Sequence, residues 1–521
     1  MKHVSRLIFA LLVFATLISC QQEEKKTPPN IIFIMSDDHA EKAISAYGHN
    51  LLQTPNIDRI ANEGILFENS FVTNSICAPS RAVMLTGKYS HLNGLRDNRD
   101  QFDGSQLTFP KLLQKAGYQT AMVGKWHLKT TPQGFDYWNI LINQGDYYNP
   151  RMIDMGDTMT HTGYTTDLIT DFALDYLENR DETKPFCMLF HHKAPHRNWM
   201  PPPRHFDLFK DKDIPMPDNF YDDYANRSIA AAEQDMHIDD MFLHLDMKLH
   251  PNDELPKSGT GGGPPGFTDV NAWANAYGRM NDEQKAAWDA HYDPINEDFL
   301  ISKPTGKELS EWKYRRYMED YLGSVAAVDD NVGRVLDYLE EHGLEENTIV
   351  VYTSDQGFYL GEHGWYDKRW MYEESLSMPL VMKFPKEIPA GQRNRDIVLN
   401  LDFAPTFLDY AGIEIPKEMQ GASLRQLAKN NKADDWRSSM YYEYFEFPHG
   451  WHSVKKHYGV RTDRYKLIHY HTDLDDWELF DLEEDPSEMQ NLYDHSDYRE
   501  VQKELHDELA KLRKELLVEE T

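Results

Sequence analysis

Short runs of consecutive apolar residues, rich in β-branched side chains, recur along the chain, and between them apolar positions fall at helical spacing. Residues 31–35, 119–123, 186–190 and 348–353 are such runs. Each is too short for a helix and reads as a strand covered on both faces. Residues 108–116 and 321–341 read as helices, the second with Leu322, Val325, Val328, Val332, Val335, Leu336 and Leu339 along one face. Strands alternating with helices predict an α/β fold: a large mixed, mostly parallel sheet flanked by helices.

The pattern changes twice. Residues from about 244 to 310 break the alternation and read as an insertion, with a Gly/Pro-rich flexible loop at 258–266. Around Gly412 to Pro416 the chain is expected to leave the main domain. Short strand-like pieces follow at 439–445, 459–462 and 465–469, then an amphipathic helix at 499–516. These predict a small C-terminal antiparallel sheet plus helix over 416–521, after a main domain over 30–415.

The first residues read as a processing signal. Lys2, His3 and Arg6 precede an apolar run over 7–18 that is short for a membrane span. It ends Leu17-Ile18-Ser19-Cys20, which resembles a lipobox. Residues 1–19 are therefore expected to be a lipoprotein signal peptide, Cys20 the lipidated residue, and 20–29 a polar tether. An exported lipoprotein follows, held to a membrane through Cys20 in the periplasm or at the outer-membrane or cell surface.

A formal charge of −32 over 521 residues argues against nucleic-acid binding, which needs a basic face. Any anion site must then be locally cationic. Three cysteines, Cys20, Cys77 and Cys187, cannot build a disulfide framework. Cys187, inside the run 186–190, reads as a buried core thiol.

Chemistry gathers at the strand ends, where open α/β sheets bind ligands. Asp37-Asp38 follows the first strand and Asp355-Gln356 the fourth. Paired carboxylates beside an amide carbonyl suit a hard cation such as Ca²⁺. Cys77-Ala78-Pro79-Ser80-Arg81 opens a helical stretch ending near Gly87. Taken alone, this places a thiolate at a helix N-terminus, which attracts anions.

C-x-P-S-R resembles the sequence by which sulfatase cysteines are oxidised to formylglycine. The remaining motifs agree in order, so the chain is identified as a type I sulfatase of the alkaline-phosphatase superfamily. The resemblance implies Ca²⁺ ligands at Asp37, Asp38, Asp355 and Gln356, the last replacing the family's usual Asn. Cys77, converted to formylglycine by a formylglycine-generating or anaerobic sulfatase-maturing enzyme, would attack as its hydrate and also touch the metal. Arg81 and Lys125 would hold the charged hydrate. His127 would take a proton from its second hydroxyl, expelling sulfate and regenerating the aldehyde. His196 and Lys368 would bind sulfate and protonate the leaving alcohol. This set answers the chemistry, because a sulfate ester is a poor electrophile with a strongly basic leaving alkoxide. His39, His49, His91, His191 and His363 lack such support and read as loop or cap residues.

Residues 144–150 and 191–203 are similar to segments of bacterial N-acetylglucosamine-6-O-sulfatases acting on glycosaminoglycans or mucins. A sulfated saccharide is the implied partner. Asp367, Arg369 and His469 are candidates for gripping the sugar. Sulfated galactose or iduronate, or a phosphonate or phosphate ester, stand as alternative substrates.

Overall fold

Five apolar side chains in a row, Ile31 to Met35, can all be buried only if both faces of their strand are covered. In the computed structural model they form Asn30–Ser36, parallel to Thr348–Ser354 on one side and to Phe186–His191 on the other. Ile31, Phe33 and Met35 share one core with Ala78, Ala82 and Leu85 of helix Cys77–Thr86 and with Phe403 and Phe407. Ile32 and Ile34 share the opposite core with Val328, Val332, Leu336 and Leu339 of helix Lys307–Glu341. Each such side chain taken from water contributes roughly 1.5–3 kcal/mol.

The structure describes residues 28–251, 255 and 267–519. The signal-like segment, Cys20, most of the tether and the Gly/Pro-rich loop at 258–266 lie outside the described residues. Among the described residues, no helix is long and apolar enough to cross a membrane.

Among the described residues the main sheet has ten strands. Its centre is Thr348–Ser354, Asn30–Ser36, Phe186–His191 and Gln119–Gly124, side by side and parallel, the four strands that the apolar runs predict. Tyr137–Leu141 extends the parallel set, and Leu380–Lys383 and Arg151–Asp154 add antiparallel strands toward the two edges. The parallel strands all end at the same edge, so the residues just beyond them are neighbours in space.

The long helix begins at Lys307 rather than Tyr321, because Tyr314, Tyr317 and Met318 continue its buried face with aromatic and sulfur side chains. Within the expected insertion the chain forms helices Asp269–Gly278 and Asp282–Ser302, the second opened by an Asn281–Gln284 capping box.

At the C-terminal end, Ser439–Tyr444, His457–Thr462, Tyr465–Tyr470 and Asp476–Asp481 form an antiparallel sheet in chain order. Helix Arg499–Glu515 shares a core with it through Leu505 and Leu509. The fourth strand escaped the sequence reading because a carboxylate interrupts its apolar side. Glu478 is fully buried and accepts hydrogen bonds from the Tyr372 and Tyr470 hydroxyls at 3.0 and 2.8 Å.

Candidate active site

The strand register places Ser36 beside Ser354, and therefore Asp37 and Asp38 next to Asp355 and Gln356. All four are fully buried. Carboxylate oxygens of Asp37, Asp38 and Asp355 lie within 4.8 Å of one another, a costly arrangement for like charges out of water. Burial, with Asp355 adding to it, pushes the Asp38 carboxyl up to about 7 against the pull of Lys368. The Gln356 amide nitrogen donates to Asp38, while its carbonyl oxygen and Oδ1 of Asp37 have no hydrogen-bond partner among the described residues. Three carboxylates and a free amide oxygen, all hard donors, fit a Ca²⁺-type cation. The longer side chain of Gln356 keeps the amide oxygen of the usual Asn available.

Cys77 is the first residue of its helix and is buried, its sulfur within 4.8 Å of ligand atoms of Asp37 and His196. Burial pushes its thiol far above the ordinary value, outweighing the pull of Lys368. A thiolate activated by the helix dipole is therefore not what this position provides. One turn on, Arg81 Nε donates to Asp355 Oδ2 at 2.9 Å and Nη1 to the Lys125 carbonyl oxygen at 2.6 Å.

Gly124 ends its strand at φ +104°, and a Cβ there would collide with the His191 carbonyl oxygen, so the turn requires glycine. The turn brings Lys125 under the site, where its ammonium donates to Asp37 and Gln144. Burial holds Lys125 well below its ordinary pKa, with Asp355 opposing and Lys193 and Lys368 reinforcing. His127 is held well below its ordinary value by burial and then by Lys125, Arg81 and Lys368, so it is neutral. Asp38, His127, Asp367 and Arg369 all have positive φ. Strain of about 1–3 kcal/mol per such residue is tolerated where the surroundings fix the backbone.

From the third strand, His196 turns Nε2 to 3.7 Å from Asp38 Oδ2 and hydrogen-bonds the Arg197 carbonyl oxygen through Nδ1 at 2.8 Å. A carbonyl only accepts, so Nδ1 carries the proton and Nε2 of the neutral ring is bare. Lys368 Nζ meets both oxygens of Asp38, at 2.6 and 2.7 Å. Burial lowers the Lys368 pKa, but Asp367 and Asp38 outweigh it and keep the ammonium charged.

Above these groups opens a cavity of about 530 Å³, with Cys77, His196 and Lys368 in its lining. Asp367 and Arg369 line it as well. His469 does not: it stacks on Trp477 at 4.0 Å between Tyr458 and Asp475 in the C-terminal sheet. The cavity instead contains His452, whose Nε2 is 3.3 Å from Asp367 Oδ2. His452 sits in a loop without periodicity, and nothing in the sequence pattern marked it. Lys193, also in the lining, falls within residues 191–203, where no motif of its own marks it. The lining thus gathers Lys193, Arg197, Lys368 and Arg369, the local cationic field that an acidic chain needs for an anionic ligand. His39, His191 and His363, expected in loops or caps, are buried, with His191 closing the third strand.

The family model for sulfatases matches residues 29–413, and that for the C-terminal part of N-sulphoglucosamine sulphohydrolase matches 361–515. The chain is 51% identical to an N-acetylglucosamine-6-O-sulfatase of Bacteroides thetaiotaomicron, over 97% of this chain and 90% of that protein. It is 26% identical to the N-acetylglucosamine-6-sulfatase of Homo sapiens, over 80% of this chain and 67% of the human protein. A solved structure in complex with its substrate D-glucosamine-2-N,6-O-disulfate superimposes with a TM-score of 0.90 at 51% identity, covering 94% of this chain and 98% of that one. With the strand-end carboxylates, the C-x-P-S-R helix and the cationic cavity in one place, this chain belongs to the sulfatase family of the alkaline-phosphatase superfamily.

Proposed function

We propose that this sulfatase hydrolyses the 6-O-sulfate of N-acetylglucosamine, or of its N-sulfated counterpart, in heparan-type glycosaminoglycan or mucin glycans. One observation carries the substrate: 51% identity, over 97% of this chain, to a protein named for that activity. The complex of a 51%-identical relative with D-glucosamine-2-N,6-O-disulfate supports the same sugar.

Asp37, Asp38, Asp355 and Gln356 would hold Ca²⁺, which when bound supplies positive charge to the sulfate oxygens. Formylglycine made from Cys77 would supply, when hydrated, the attacking oxygen and an aldehyde that can be regenerated without water attacking a covalent sulfate. Arg81 and Lys125 would hold the charged hydrate at position 77 and offset its negative charge. His127, neutral in its buried surroundings, accepts a proton. Lys368 stays charged and holds sulfate through Nζ. His196 would bind sulfate and, once its Nε2 is protonated, donate that proton to the leaving oxygen. Asp367 and Arg369 grip the sugar hydroxyls with His452, which takes the place expected for His469.

Maturation requires a formylglycine-generating or anaerobic sulfatase-maturing enzyme as partner. Lipidation at Cys20 would tether the exported enzyme to a membrane, in the periplasm or at the cell surface, beside its glycan supply.

The test is sulfate release from 6-sulfated N-acetylglucosamine, N-sulfated glucosamine-6-sulfate and a panel of galactose and iduronate sulfates, with Cys77→Ala as control. Release from the glucosamine 6-sulfates, lost in the variant, is expected. Release from another sugar alone would overturn the substrate, and faster turnover of aryl phosphate than of any sulfate would overturn the reaction.

A further inference from the structure

Arg369 reaches the cavity held through Nε and Nη1. Its Nε donates to Asp367 Oδ1 at 3.1 Å, and its Nη1 donates to Glu446 Oε1 at 2.6 Å and to the Tyr444 hydroxyl at 3.3 Å. Glu446 comes from the C-terminal sheet, two residues past the strand Ser439–Tyr444, and is 2% exposed. Its second oxygen accepts the Asn98 backbone N–H at 3.0 Å. The Asn98 side-chain oxygen in turn accepts the backbone N–H of Ala78 at 3.2 Å, next to Cys77 in the helix. One buried carboxylate thus joins the arginine of the cavity to the N-terminus of the helix that carries Cys77.

The loop after Glu446 is shaped around the same carboxylate. Gly450 stands at φ +82°, and a Cβ there would collide with Glu446 Oε1, so glycine is required for the loop to close over it. That loop delivers His452 to Asp367 Oδ2 at 3.3 Å. Asp367 also feels these neighbours electrically: burial works to raise its carboxyl, yet Lys368, His452 and Arg369 hold it well below the usual range.

We propose that Glu446 is a positioning residue for sugar recognition, fixing Arg369, Asp367 and His452 in register with position 77. The proposal rests on the reading of Asp367 and Arg369 as the sugar grip. Glu446 reaches the cavity lining with both oxygens already held by Arg369 and Asn98, and it acts through the hydrogen-bond geometry of Arg369. A planar guanidinium gives directional donors only while its plane is fixed. With the charged acceptor gone, Arg369 keeps its charge but loses the orientation that matches hydroxyl positions on one sugar.

Such a role separates sugar recognition from sulfate chemistry, and the test uses that separation. Glu446→Gln, which preserves shape and one acceptor, is compared with Glu446→Ala and Arg369→Ala in the full-length, formylglycine-bearing protein. Each is assayed on 6-sulfated N-acetylglucosamine and on 4-methylumbelliferyl sulfate, which lacks a sugar. Glu446→Gln is expected to raise KM for the sugar at least ten-fold with kcat changed less than three-fold. The loss in kcat/KM is expected to be at least five-fold greater on the sugar than on the aryl sulfate, with Glu446→Ala exceeding Glu446→Gln. Equal losses on the two substrates, or an unchanged KM for the sugar, would overturn the positioning role. If Arg369→Ala shifts the sugar-to-aryl ratio and the Glu446 variants do not, only the positioning role fails. If Arg369→Ala leaves that ratio unchanged, the sugar grip itself is wrong.

Discussion

Arg81 Nε donates to Asp355 Oδ2 at 2.9 Å, tying the helix that begins at Cys77 to the end of the strand Thr348–Ser354. The same guanidinium donates to the Lys125 carbonyl oxygen at 2.6 Å, so three chain segments meet on one side chain. Arg81→Lys keeps a positive charge but cannot make both contacts. Turnover of aryl sulfate is expected to fall at least 100-fold, about 2.7 kcal/mol of transition-state stabilisation. Because Arg81 is also part of the C-x-P-S-R sequence, mass spectrometry must quantify formylglycine in the variant and the rate be expressed per converted chain. A per-chain rate within three-fold of the native enzyme would contradict the role.

Gly124→Ala tests the turn that presents Lys125 and His127. The added Cβ meets the His191 carbonyl oxygen, and φ of +104° strains any side-chain-bearing residue. A fall in Tm is expected together with a loss of activity larger than that of Gly156→Ala, which is strained alike at φ +111° but has open space around it. Native activity in Gly124→Ala would mean that the turn tolerates displacement of Lys125.

Chelation reports on the carboxylate cluster. Without a cation, Asp37, Asp38 and Asp355 face one another in a buried space. Prolonged treatment with a chelator is expected to lower Tm, and added Ca²⁺ to restore it. A ligand at 100 times its Kd stabilises by about 2.7 kcal/mol. Metal analysis after mild dialysis should find one calcium per chain, and stoichiometric zinc would contradict the oxygen-donor reading.

Acid stability follows from two buried histidines outside the carboxylate cluster. Burial lowers His192 and His457 from 6.5 to about 3. The unfolded chain binds protons at both as pH drops below about 6.5, while the folded chain stays neutral there, so their stabilisation is full above that pH and lost toward about 3. Each contributes up to about 1.4 kcal/mol per pH unit in that window. His457, ringed by Trp370, Tyr442 and Tyr470, accommodates an aromatic replacement. Tm of His457→Phe is expected to fall less steeply between pH 7 and 5 than that of the native chain, and parallel curves would refute the assignment.

The central strands were legible because strands buried on both faces leave uninterrupted apolar runs, as Ile31 to Met35 does. The groups that the structure gathers around Cys77 were legible because such chemistry requires particular residue types at strand ends and at one helix start. The sugar end of the cavity was not. His452 and Glu446 lie in or beside a loop whose position depends on the packing of the C-terminal sheet against the rest, and no local pattern encodes that packing. His469 looked equally suitable by residue type. Only the register, pairing it with Tyr458 and Trp477, shows that its ring belongs to the sheet surface. The strand Asp476–Asp481 was hidden by the buried Glu478, whose cost is met by tertiary hydrogen bonds that sequence does not display.

The most direct measurement follows sulfate release from 6-sulfated N-acetylglucosamine in preparations whose conversion of Cys77 to formylglycine ranges from nearly none to nearly complete. Turnover is expected to rise in proportion to the converted fraction and to extrapolate to zero for unconverted chains that remain folded. The buried Cys77 thiol, raised far above its ordinary value, offers no substitute nucleophile. Turnover that persists in Cys77→Ala, or that does not track conversion, would contradict the account.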